Sequence, residues 1–81
     1  MDDAQILSRI ENLVQEEHRL YEKSEEEEGL DKAEHQRLES LQTGLDQCWD
    51  LLRQRRARRD AGLNPDQASV RDVETVEGYE G

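Results

Sequence analysis

The stretch Ile6-Leu7-Ser8-Arg9-Ile10-Glu11-Asn12-Leu13-Val14-Gln15-Glu16-Glu17-His18-Arg19-Leu20 places Ile6, Ile10, Leu13 and Leu20 at helical spacing on one face. Extended outward, the row reads Asp3, Ile6, Ile10, Leu13, Glu17, Leu20 and Ser24, in steps of three and four. Further along, Arg55, Leu52, Cys48, Leu45, Leu41, Leu38 and Glu34 repeat those steps backwards, and each facing pair of numbers totals 58. An antiparallel helical hairpin needs such a ladder if its seam is to close in one register. The sequence therefore predicts an all-α fold, a coiled-coil-like antiparallel two-helix hairpin with a carboxyl-terminal tail.

Local signals set the expected boundaries. Asp2 followed three residues later by Gln5 reads as an amino-terminal cap, and Asp31 with Glu34 reads as a second capping box. Helix one is expected over about residues 3–27, the tip over 28–30 and helix two over about 31–61, within a hairpin of residues 1–63. The run Glu25-Glu26-Glu27-Glu28 opposes the helix dipole and repels itself, so fraying is expected there, with Gly29 closing the turn. Gly62 and Asn64-Pro65 stop helix two. Helix two is the longer, so Arg56, Arg58 and Arg59 project past helix one. Residues 64–81 form an acidic tail, irregular or partly disordered, in which Val70, Val73, Val76 and Tyr79 recur every third residue. An extended segment on the hairpin, a short helix and a free peptide all fit that recurrence.

Composition narrows the class. The chain has 81 residues, 32% of them hydrophobic, with no Phe and one Trp, too little for a layered globular core. A flanking line of Leu7, Val14 and Tyr21 widens the apolar face of helix one beyond a two-helix seam. Self-association into a four-helix homodimer is the expected remedy. The formal net charge of −10 disfavours nonspecific binding to nucleic acid or anionic lipid. The acidic start and the lack of long apolar runs predict neither a secretory signal nor a membrane span. A lone cysteine, Cys48, cannot form an internal disulfide, and a cytoplasmic location follows as the expectation.

The segment Leu45-Asp46-Gln47-Cys48-Trp49-Asp50-Leu51-Leu52-Arg53-Gln54-Arg55-Arg56, with the ending Val76-Glu77-Gly78-Tyr79, resembles a family of short actinobacterial proteins known as a domain of unknown function. The similarity extends over essentially the whole chain, including the Glu17-His18 and Glu34-His35 pairs and the acidic ending. It implies a small cytoplasmic actinobacterial protein, and it carries over no catalytic or binding residues.

Read for chemistry, the residues favour contact over catalysis. Glu17 and Glu34 on a helical seam suggest a carboxylate metal site, but such bundles set a Glu three residues before a His. Gln15 and Lys32 occupy those positions before His18 and His35, so both acids read as solvated or register-setting. Neither His shares a metal-ligand spacing with Cys48, which reads as a small buried hydrophobe. No nucleophile, base and oxyanion donors converge, so no enzymatic activity, cofactor or metal is expected.

The arginine run Arg53-Gln54-Arg55-Arg56-Ala57-Arg58-Arg59 could grip phosphates, yet aromatic interleaving is missing. Pairing with Asp2, Asp3, Asp60 or the acidic tail is the simpler reading. The acidic tip resembles hairpins that enter the RNA polymerase secondary channel only in its outline. Trp49 and Tyr21 suit packing within the hairpin or its dimer, or an interface. The sequence thus points to a non-enzymatic adaptor or regulator in protein–protein interaction. Its partners are itself and another protein, through Trp49, Arg53, Arg56, Arg59, Val76 and Tyr79. The alternative is nucleic-acid or ribonucleoprotein (ribosome or RNA polymerase) binding through the arginine-rich end of helix two. No membrane partner is expected.

Overall fold

The structure, a computed structural model, describes residues 1–71. Two helices pack against each other, α1 (Asp3–Ser24) and α2 (Lys32–Asp60), followed by a 3-10 turn at Pro65–Gln67. Among the described residues there are no strands. Val73, Val76 and Tyr79 lie outside the described residues.

Both helices start on the signals written in the sequence. The Asp2 carboxylate accepts from the Gln5 amide at 2.8 Å while the Gln5 side chain accepts from the Asp2 amide at 2.9 Å. Asp31 and Glu34 form the same reciprocal box at 2.8 and 3.1 Å. Each box satisfies amides that the first helical turn leaves without partners.

Helix α1 stops at Ser24, short of residue 27. The glutamates that follow would stack negative charge on the carboxyl-terminal, negative pole of the dipole. The Ser24 hydroxyl donates instead to the Tyr21 carbonyl at 2.6 Å, occupying an end acceptor. The chain turns back through Gly29, whose φ of +62° is a conformation that glycine adopts freely. Helix α2 ends in a Schellman motif. There the Leu63 amide donates to the Arg58 carbonyl at 2.7 Å and the Gly62 amide to that of Arg59 at 3.1 Å.

Ile6, Ile10, Cys48 and Leu51 are buried together, with Leu13, Leu45, Leu52 and Ala68 packed around them. Leu41 is buried farther along the seam. Asp3 and Arg55, opposite each other in the predicted ladder, are joined by an ion pair, and Lys23 meets Glu34 at 2.6 Å near the tip. The two contacts bracket the seam and hold its register.

Gly44 faces Leu13 across that seam. A Cβ on Gly44 would stand 3.4 and 3.9 Å from the two Leu13 methyl carbons, ordinary packing distances. Gly44→Ala is therefore expected to stabilise the chain by about 0.5–1 kcal/mol, the difference in helix propensity, read as a higher urea midpoint.

Candidate interaction surface

A two-helix layer has two broad faces, and this chain treats them oppositely. On one, Arg37 pairs with Glu16 and Lys23 with Glu34, and the segment after the 3-10 turn lies along α2. The Asn64 side chain accepts from the Asp66 amide at 2.9 Å and opens that turn. Beyond it, Gln54 Nε2 donates to the Ser69 carbonyl at 2.7 Å and Gln47 Nε2 to that of Arg71 at 3.2 Å. The start of the valine recurrence is thus an extended strap held by two glutamines one heptad apart.

The strap explains a burial that the ladder does not predict. Asp50 is only 2% exposed although it lies off the seam. Gln54 Nε2 donates to its carboxylate at 2.8 Å, with Arg71 Nε at 3.6 Å and Arg53 Nη2 at 4.0 Å. A buried carboxylate needs such partners. Leu51, also outside the ladder, is buried as well, and Ala68 packs against the cluster that contains it. The spacing of Gln47, Asp50 and Gln54 was the one sequence signal of a covered second face.

The arginine run is drawn largely inward at the open end of the hairpin. Arg55 is buried, and its guanidinium donates to Asp3, to the Pro65 carbonyl at 3.1 Å and to Asp66 at 3.0 Å. Arg59 reaches back to Asp3 at 2.7 Å. Two arginines on one carboxylate, Arg59 first and Arg55 second, hold the Asp3 pKa down at about 2. Arg37 likewise lowers Glu16, and Lys23 lowers Glu34. Arg56 and Arg58 have no ion pair among the described residues.

A depressed carboxylate stabilises the fold above its unfolded pKa, and that contribution disappears as pH falls through the folded value. Stability from these pairs is therefore constant near neutrality and declines from about pH 4 toward pH 2. Asp3→Asn should lower the urea midpoint at pH 7 and decline less than wild type on acidification. Equal declines in both proteins would show that Asp3 is not tied as described.

On the opposite face, Leu7, Val14 and Tyr21 stand one heptad apart along α1, exposed by 50, 37 and 44%. The Tyr21 hydroxyl accepts from Gln42 Nε2 at 2.9 Å, which fixes the side of α2 that shares this face. Heptad steps along both helices from that contact place Trp49 and Arg56 on the side of α2 that borders Leu7 and Val14 of α1. Trp49 is 47% exposed, so the hairpin itself does not bury it. Four of the seven exposed large apolar side chains among the described residues thus share one face. Of the predicted contact residues, the structure brings Trp49 and Arg56 to this face. Arg53 lies by Asp50 and Arg59 by Asp3. Val76 and Tyr79 fall outside the described residues.

Open cavities flank the strapped side, about 290 Å³ between Glu16, Arg19, Lys23 and Glu34, about 240 Å³ beside Ile6, Cys48 and Val70, and about 200 Å³ between Asp50, Ala57 and Arg71. No three His, Cys, Asp or Glu side chains among the described residues are grouped to hold a metal ion. His18 and His35 are exposed. No described helix is long and apolar enough to cross a membrane.

The model of a family described as proteins of unknown function, DUF2630, matches residues 2–81. The chain belongs to the DUF2630 family. It is similar to uncharacterized protein Rv0898c of Mycobacterium tuberculosis and uncharacterized protein Mb0922c of Mycobacterium bovis. Each is 44% identical over 79 residues, covering 98% of this chain and 91% of the relative. The match agrees with the actinobacterial resemblance seen in the segment from Leu45 to Arg56. No solved structure matches this DUF2630 chain.

Proposed function

We propose that the chain is a non-enzymatic helical hairpin that self-associates and acts as an adaptor or regulator for another protein in the cytoplasm. The open face carries this reading. Leu7, Val14, Tyr21 and Trp49 are held side by side in water on a rigid two-helix layer. Grouped exposed apolar side chains of this kind are contact surfaces, and aromatic residues and arginine are the usual anchors. A partner protein is recognised near the open end of the hairpin, where Arg53, Arg56 and Arg59 sit on exposed turns of α2.

Binding to RNA or DNA through the arginine run is the weaker reading. Arg55 and Arg59 are already engaged by Asp3 and Asp66, and the net charge is −10. Phosphate-driven binding needs several free cations acting together.

A photo-cross-linking residue in place of Arg59, expressed in the source cell, tests the proposal. A discrete adduct with a different protein is expected. An adduct with nucleic acid alone, together with RNA or DNA affinity that falls steeply as salt rises, would replace the adaptor reading.

A further inference from the structure

The strap is gripped by its backbone. Arg55 Nη1 donates to the Pro65 carbonyl at 3.1 Å, Gln54 Nε2 to that of Ser69 at 2.7 Å and Gln47 Nε2 to that of Arg71 at 3.2 Å. The strap therefore runs antiparallel to α2, toward the tip. Any extended segment can offer carbonyls at those points. Its side chains add little apolar contact. Ala68 packs on the cluster of Ile6, Ile10, Cys48 and Leu51, whereas Val70 stays 59% exposed. Beside Val70 opens the cavity of about 240 Å³, lined by Ile6, Gly44, Cys48 and Leu51, with room for a larger side chain. A segment with so few buried apolar contacts belongs to the low-stability end of a fold.

We propose that this groove is a docking site for an extended segment of a partner protein, with residues 64–71 standing in as an internal competitor. The surface is separate from the open face, and its use does not depend on self-association.

Buried charges in the groove dictate what an incoming segment must carry. Releasing the strap takes Asp66 from Arg55, which keeps Asp3, and takes Arg71 from Asp50, which keeps Gln54 and Arg53. Arg55 and Asp50 are 5 and 2% exposed, and losing a partner at such sites is costly. A replacement must bring an acid for Arg55 and, five residues on, a base for Asp50. Between them it needs a small residue in the place of Ala68 and an apolar one in the place of Val70. Leucine or methionine there buries more surface than valine and displaces the strap.

The full chain carrying Asp66→Asn and Arg71→Gln loosens the strap and leaves the groove intact. The probe is a peptide copying residues 64–71 with leucine in the place of Val70, and NMR follows the side-chain amides of Gln47 and Gln54. The peptide should shift both resonances and bind the double variant about tenfold more tightly than wild type, whose strap competes. Exchanging the acid and the base of the peptide should abolish the shifts. Unmoved resonances at millimolar peptide, or equal binding of the exchanged peptide, overturn the proposal.

Alkylation of Cys48, 7% exposed in the covered cluster, gives a reading within the chain. Val70→Leu should slow it about fourfold, the effect of one more buried methylene. The double variant should hasten it at least tenfold with helical circular dichroism unchanged. Equal rates in wild type and both variants mean that the strap is no separable cover, and also overturn the proposal. Protection that grows with chain concentration in a Trp49→Glu background assigns the groove to the strap of a second copy instead.

Discussion

Ile6→Ala is expected to destabilise the chain by about 2–5 kcal/mol, the cost of removing a fully buried side chain whose cavity cannot collapse. Ile6 has no exposure and sits in one cluster with Ile10, Cys48 and Leu51. Rigid helices on either side prevent the space from closing. In a domain of this size each kcal/mol moves the melting temperature by about 4–8 °C, so the loss should be at least about 8 °C. Leu7→Ala, one residue away, removes a half-exposed side chain from the other edge of the helix. Its thermal effect at low protein concentration should be small. Comparable losses for the two variants would mean that the seam does not run through Ile6.

The second large effect belongs to Trp49. Its ring is outside the hairpin core, yet it stands on the open face with Leu7 and Val14. Trp49→Glu places a carboxylate where two apolar layers are proposed to meet. Loss of an interface anchor costs about 2–4 kcal/mol, so the dimer dissociation constant should rise on the order of a hundredfold. Wild-type melting should depend on concentration, because association stabilises the folded chain by mass action. Melting of the variant should not. A variant that associates as tightly as wild type would remove Trp49 from the interface.

Much of this architecture is legible before any coordinates. The steps of three and four from Asp3 to Ser24 and from Glu34 to Arg55 give the helices, their direction and the Asp3–Arg55 pair. Asp2, Gln5, Asp31 and Glu34 mark the two helix starts, because caps act through neighbouring atoms. The end of α1 is less legible. Glu25, Glu26 and Glu27 have good intrinsic helix propensity, and the dipole that disfavours them exists only once the helix has formed.

Asp50 was hidden for another reason. Its burial depends on Ser69 and Arg71, residues remote in sequence that approach only after the chain has turned at Pro65. The open face was half visible. Leu7, Val14 and Tyr21 show as a flanking line, but only the Tyr21–Gln42 contact reveals that Trp49 and Arg56 join them.

Sedimentation equilibrium of the wild-type chain at micromolar concentration tests the central claim, that the uncovered face of a strapped hairpin is a contact surface for a second copy. A mass twice that of the 9.5 kDa chain is predicted, falling to a single chain when Trp49 is replaced by Glu. A stable, fully helical wild-type monomer of 9.5 kDa under the same conditions would contradict it.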